Sequence, residues 1–224
     1  MNDKTIGPGL CLVIEMSDSP EGQARIAKVL DATTAVTLIL TPPGGAASFD
    51  PETARPLVKE AQDRGVAVLF VDDAEAAREV EADGVHLTSR PDIEVAYGIA
   101  RGVLGTGAIV GVEAGALRHD AMALGEAGAD YVAFGPSPGE TDASEDTEDH
   151  TSPETQAERI AWWSDLFVVP CVALGVQTAE DAARLSQAGA DFIAVHPPAE
   201  LPADALADWA RSIVEAVHIA YDAA

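Results

Sequence analysis

Residues 126–134 read EAGADYVAF, and two other stretches repeat the theme: EADGVHL at 81–87 and QAGADFIAV at 187–195. Each leaves an Ala-rich, helix-like segment through a small residue, reaches an Asp, and continues as a short apolar run. A glycine at a helix end accepts the left-handed conformation that turns the chain, so two or three residues suffice to return it to a sheet. The apolar runs are continuous rather than alternating, as suits parallel strands covered on both faces.

Working outward, the same kind of run appears at 10–14, 36–40, 66–71, 84–87, 108–112, 130–134, 168–174 and 191–195. Amphipathic segments fall between them, at 20–31, 51–64, 74–82, 92–101, 116–127, 153–164, 178–188 and 203–222. Start signals support the helices: Asp50 before Pro51, Ser152 before Pro153, Asp73 before AEAARE and Thr178 before AEDAAR. Strands alternating with helices, joined by short returns and longer outward loops, predict a single (β/α)8 TIM barrel over 1–224. A doubly wound open sheet is the alternative, although it would use fewer strands for this length. In a barrel the chemistry sits in the loops that follow the strands. Those loops hold TPPGGAASFD (41–50), VDDA (71–74), TSRPD (88–92), EAG (113–115), the acidic stretch 135–152, GVQT (175–178) and HPPAELPAD (196–204).

The charge balance narrows the function classes. Thirteen basic residues face 38 acidic ones, a formal charge of −25. Nucleic acid and anionic membranes need a positive footprint, so neither is expected as a partner. A polyanionic substrate is also repelled unless local cations or a metal offset the field. No apolar run is long enough to span a bilayer and no signal-peptide pattern is present, so the expected location is cytoplasmic. Cys11 and Cys171 lie in strand-like runs and read as small buried hydrophobes. No lysine follows Lys59, which removes a Schiff-base aldolase from consideration.

The stretches VLFVDDAEAAREVEADGVHL (68–87), GADYVAFGP (128–136), VPCVALG (169–175) and AGADFIAV (188–195), in this order and spacing, resemble the thiamine phosphate synthase family and its thiazole tautomerase relatives. The resemblance implies a transferase of thiamine biosynthesis, which joins a pyrimidine methyl diphosphate to a thiazole phosphate and expels pyrophosphate with Mg2+. It places Asp72, preceded by Val71 instead of Asn, in a metal position, with Asp92 as the nearest carboxylate after the fourth strand. Thr141 and Gly175, at family positions, then become expected contacts to ligand or phosphate, joined by Arg90 as a lone cation at the catalytic face and by His196, a candidate acid or base, while a small phosphorylated heterocycle becomes the expected partner of a homo-oligomer.

Several positions depart from the family pattern. LTPPGG after the second strand holds no cation, Glu113 replaces a Ser, Asp142 replaces a Lys, and Pro136 stands where the tautomerases carry His. Gly175-Val176 and His196-Pro197-Pro198 replace the family's Gly-Gly and Ser turns. The carboxylates between Glu140 and Asp149 lack the spacing of a calcium loop and read as an acidic, flexible loop at 137–152. The residues thus leave two functions open: the transferase with most diphosphate-binding cations missing, or a non-catalytic or repurposed paralogue that binds a small ligand or a protein partner. Individual residues carry alternatives too. Asp72 is a metal ligand or a helix cap, His86 a structural histidine or a mouth residue, and Arg90 an anion contact or the partner of local acids. Trp162-Trp163 is outer-layer packing or an oligomer contact.

Overall fold

Eight strands alternate with eight helices in the computed structural model, which describes residues 7–115, 117–136, 154–198, 201 and 203–222. The order is β1 (Gly9–Glu15), α1 (Pro20–Ala32), β2 (Ala35–Thr41), α2 (Pro51–Gln62), β3 (Ala67–Val71), α3 (Ala74–Glu79), β4 (Gly84–Leu87) and α4 (Ile93–Leu104). It continues with β5 (Ile109–Ala114), α5 (Arg118–Glu126), β6 (Tyr131–Phe134), α6 (Gln156–Leu166), β7 (Cys171–Val176), α7 (Ala179–Gln187), β8 (Phe192–Val195) and α8 (Ala203–Asp222). Every strand pairs in parallel with its sequence neighbours, and β8 pairs with β1, which closes the (β/α)8 barrel. The acidic stretch 137–152 lies outside the described residues.

The acid of each repeated stretch locks an even strand to the odd strand before it. The backbone N–H of Asp83, Asp130 and Asp191 donates to the carbonyl of Val68, Val110 and Cys171 at 2.9, 3.2 and 3.0 Å. The same three residues donate their own N–H back to the Asp carboxylates at 2.7, 2.8 and 2.8 Å. Each Asp thus satisfies both polar groups of one backbone residue at the start of β3, β5 or β7. Charge-assisted bonds of this kind are worth roughly twice a neutral one.

The turn that feeds each clamp needs a left-handed residue. Gly128 and Gly189 supply it at φ 93° and 99°, and in the first repeat the non-glycine Glu81 takes it at φ 59°. The caps at Asp50, Asp73 and Thr178 form as expected, each side chain accepting a first-turn N–H. Several boundaries move, among them the end of α3, which stops at Glu79 instead of 82, and the end of α4, which runs on to Leu104 instead of 101. Two of the shifts have a visible cause. Helix α6 starts at Gln156, capped by a reciprocal pair between Thr155 and Glu158, whereas Ser152 and Pro153 lie outside the described residues. Strand β7 starts at Cys171 instead of 168, because Pro170 has no N–H to give the ladder and only its carbonyl serves, accepting from Val132.

Two apolar layers result. Leu38, Phe70, Val110, Phe134, Trp163 and Ile193 fill the space between strands and helices. Cys11, Ile39, Leu69, Tyr131, Val172 and Ala194 fill the barrel itself. Both cysteines are buried and free, and burial pushes each thiol up to about 12. They act as hydrophobes, as expected. Trp163 is fully buried and stacked on Phe167 with ring centroids 4.1 Å apart, which makes it a core residue. Trp162 is half-buried beside it, with the Arg118 guanidinium 4.4 Å from its ring.

The clamp has a measurable worth. Asp191→Ala leaves the Cys171 N–H without its acceptor and should cost about 1–3 kcal/mol, while Asp191→Asn, which keeps an oxygen, should cost less. Urea unfolding of the two variants tests this ordering, and equal midpoints would contradict it.

Candidate functional site at the barrel mouth

The inward-facing residues at the C-terminal strand ends surround a cavity of about 280 Å3. Thr41, His86, Glu113, Gly135, Gly175 and His196 line it, brought there by β2, β4, β5, β6, β7 and β8. A larger cavity of about 500 Å3 adjoins it between β1, α1 and β8, sharing Val13, Thr41 and His196 and adding Ser17 and Arg25. Arg25 is anchored there, donating to the carbonyls of Pro198 and Leu201 at 2.6 Å each.

The two histidines of the mouth are kept neutral by burial. His86 is buried, with Nδ1 2.8 Å from the Tyr131 hydroxyl, and its pKa is lowered to about 4, chiefly by loss of solvent. His196 is shifted down for the same reason, and its Nδ1 is buried without a hydrogen-bond partner among the described residues. Both rings can therefore donate or accept a hydrogen bond without bringing charge. Glu113 accepts from the Ser89 N–H at 3.3 Å, and Glu15 on the rim of the neighbouring cavity accepts from Gly44 N–H at 2.6 Å.

The expected ligand and metal residues do not all meet. Gly175 and His196 face the mouth. Gly175 is left-handed at φ 74°, and a Cβ there would lie 3.0 Å from the Pro136 ring, so the turn needs glycine. The N–H of His196 is spent on the Val176 carbonyl at 3.1 Å, which removes one donor from any phosphate cradle at these strand ends. Asp72, Arg90 and Asp92 instead line a separate groove of about 370 Å3 along α3 and α4. Thr141 lies outside the described residues.

Within that groove Asp72 is committed. Its carboxylate forms an ion pair with the Arg90 guanidinium and accepts from Thr88 N–H at 3.0 Å and Thr88 Oγ1 at 2.5 Å. Arg90 also donates from Nε to the Thr88 carbonyl at 3.2 Å. The cap of α3 is Asp73 and not Asp72, so Asp72 works by ordering the next loop. Among the described residues no group of three or more His, Cys, Asp or Glu side chains could hold a metal ion.

Two polar side chains beside the mouth come from an unexpected element. Gln156 and Arg159, both buried on α6, reach under the mouth. Gln156 Nε2 donates to the carbonyls of Phe134 and Leu174 at 2.7 and 2.8 Å, and Arg159 Nη2 donates to the Gly135 carbonyl at 2.6 Å. They tie the ends of β6 and β7 together and put a buried cation behind Gly135. The signal lay in the spacing: both share the apolar face of Ile160 and Trp163, where polar residues are out of place.

A closed barrel with polar residues gathered at its C-terminal mouth defines a (β/α)8 protein, a class in which ligand sites form at the strand ends. More specifically, the family model described as thiamine monophosphate synthase matches residues 11–197, and the chain belongs to that family. The thiamine-phosphate synthase of Rhodospirillum centenum is 42% identical over 167 residues, covering 71% of this chain and 73% of that protein. That of Hyphomonas neptunium is 46% identical over 135 residues, covering 60% of this chain and just over half, 57%, of that protein. Thiamine phosphate pyrophosphorylase from Pyrococcus furiosus superposes with a TM-score of 0.69 at 19% identity, over 95% of this chain and 96% of that one, a likeness of fold. No helix of the described residues is long and apolar enough to cross a membrane.

The buried imidazole makes stability depend on pH. The folded pKa of His86 is depressed from 6.5 to about 4, so the unfolded chain takes up a proton that the folded one refuses. The stabilisation is complete above the unfolded value and is lost as pH falls toward the folded one. Between about pH 7.5 and about pH 5 the loss from this group should be about 2 kcal/mol. Urea midpoints of the wild type and His86→Gln across that window check it; parallel slopes would refute it.

Proposed function

We propose that this chain binds a small heterocycle, uncharged or carrying a single phosphate, in the mouth of its barrel, as a cytoplasmic protein. On this reading, displacement of pyrophosphate, the step the family resemblance implies, runs far below an ordinary enzymatic rate. The ion pair of Arg90 with Asp72 carries the proposal. It joins the cation of the fourth-strand loop to the carboxylate that stands in the family's metal position, so each neutralises the other. A diphosphate leaving group needs cations and donors to take up the charge that grows on its oxygens. Each charge-assisted contact to it is worth about 1.5–3 kcal/mol, and here such contacts would have to be won from Asp72 and Thr88.

The fit to Mg2+ follows the same logic. Magnesium is usually held by one or two carboxylates together with substrate phosphates. Asp72 and Asp92 share a groove, but the guanidinium that neutralises Asp72 stands in it as well. As they stand these residues suit a cation poorly, and no step is assigned to one. Gly175, His86 and His196 are the residues assigned to ligand contact in the mouth.

The second reading is the transferase itself, favoured by 42% and 46% identity to proteins named thiamine-phosphate synthase. The purified full chain, supplied with pyrimidine methyl diphosphate, thiazole phosphate and Mg2+, distinguishes the two. The expected result is thiamine phosphate formation at least about a thousandfold slower than the roughly 10 s⁻¹ common among enzymes, with saturable binding of thiazole phosphate. Turnover within about tenfold of that common rate would establish the transferase instead.

A further inference from the structure

His86 and Tyr131 meet although their strands are not neighbours, for β5 runs between β4 and β6. In the parallel ladders His86 pairs with Gly111, and Gly111 pairs with Tyr131. The three stand at one level across three strands. A Cβ at position 111 would lie 1.9 Å from Cζ of Tyr131, so glycine is what lets the phenol ring lie over β5. The hydroxyl then reaches His86 Nδ1, and the two rings are nearly parallel at 11°. Above this pair His86 lines the mouth, while below it Tyr131 lines an apolar cavity of about 220 Å3 at the other end of the barrel.

The direction of the hydrogen bond follows from satisfaction of donors. His86 is the hydrogen-bond partner of the buried Tyr131 hydroxyl among the described residues. Were the imidazole to donate from Nδ1, the phenolic proton would be left buried without an acceptor, the costly arrangement. If the phenol donates, both groups are satisfied. We propose that Tyr131 is a positioning residue, whose hydroxyl donates to His86 Nδ1 across Gly111 and so keeps the imidazole proton on Nε2, presented to the mouth. The mouth thereby offers a neutral N–H donor held in place from beneath, and its ligand carries a matching acceptor, such as a ring nitrogen or a phosphoryl oxygen. The tautomer of a histidine is commonly set by the bond its other nitrogen makes. The ligand half of this inference rests on the proposed small-molecule function; the tautomer half does not.

Nitrogen-15 NMR of histidine-labelled full chain, wild type and Tyr131→Phe, tests it, because the variant removes one hydroxyl and keeps the ring. Wild-type His86 should show a protonated Nε2 and a bare Nδ1, and the variant should shift toward a mixture of tautomers. Affinity for thiazole phosphate should fall about three- to tenfold in the variant. A protonated Nδ1 in the wild type, or unchanged nitrogen shifts in the variant, would overturn the assignment. Shifted tautomers with unchanged affinity would overturn the positioning role. Absence of thiazole phosphate binding to the wild type would sink the ligand reading of the mouth, with the nitrogen shifts still deciding the tautomer.

Discussion

The barrel depends on three carboxylates that close backbone rings. Asp83, Asp130 and Asp191 each receive the N–H of a residue in the preceding odd strand and return their own N–H to its carbonyl. Parallel ladders have slanted bonds and leave strand starts frayed, and a fixed register there decides which side chains point inward. Locking three even strands to their predecessors therefore sets the inward positions of His86, Tyr131 and Ala194 at once. The constraint is strong enough that Glu81 adopts a left-handed φ to reach it, a conformation that normally favours glycine.

At the opposite end, acids do a related task with a different outcome. Glu15 holds Gly44, Asp72 holds Thr88 and Arg90, and Glu113 holds Ser89. Each carboxylate orders the loop after a neighbouring strand by accepting from its donors. On the proposed reading, loop order and polyanion binding compete for the same N–H groups and the same guanidinium. The formal charge of −25 adds a long-range field of the same sign, which discourages an anionic ligand further.

Most of the fold was legible because continuous apolar runs and the Gly-Ala-Asp turns are local signals. The strand GVHL and the helix 203–222 were placed to the residue. Two of the boundary errors came where a local rule was overridden: Pro170 delays β7, and Thr155 caps α6 in place of the expected Ser-Pro start. The site was less legible, for its contacts are made between distant residues. Reading the strand ends alone credited the mouth with Arg90 and missed Arg159, which reaches Gly135 from a helix 24 residues on. It also gave His86 no partner, because Tyr131 lies 45 residues away on a strand that is not adjacent. Only the register through Gly111 makes them meet.

The site's polarity can now be set against its charge. The cations that reach its surroundings are engaged with backbone carbonyls or acids: Arg25 with Pro198 and Leu201, Arg159 with Gly135, Arg90 with Asp72. What faces the mouth is two neutral imidazoles, Thr41, Thr88 and one carboxylate. Groups of that kind discriminate by the pattern of donors and acceptors rather than by net charge, and buried polar groups left unmatched reject the wrong ligand strongly. On the proposed reading, a family whose chemistry turns on an anionic leaving group has here a mouth that reads the heterocycle. On that reading, Glu113 and His196, which stand where the family pattern has serine-containing turns, lend the mouth hydrogen-bonding groups but no cation to stabilise a departing diphosphate.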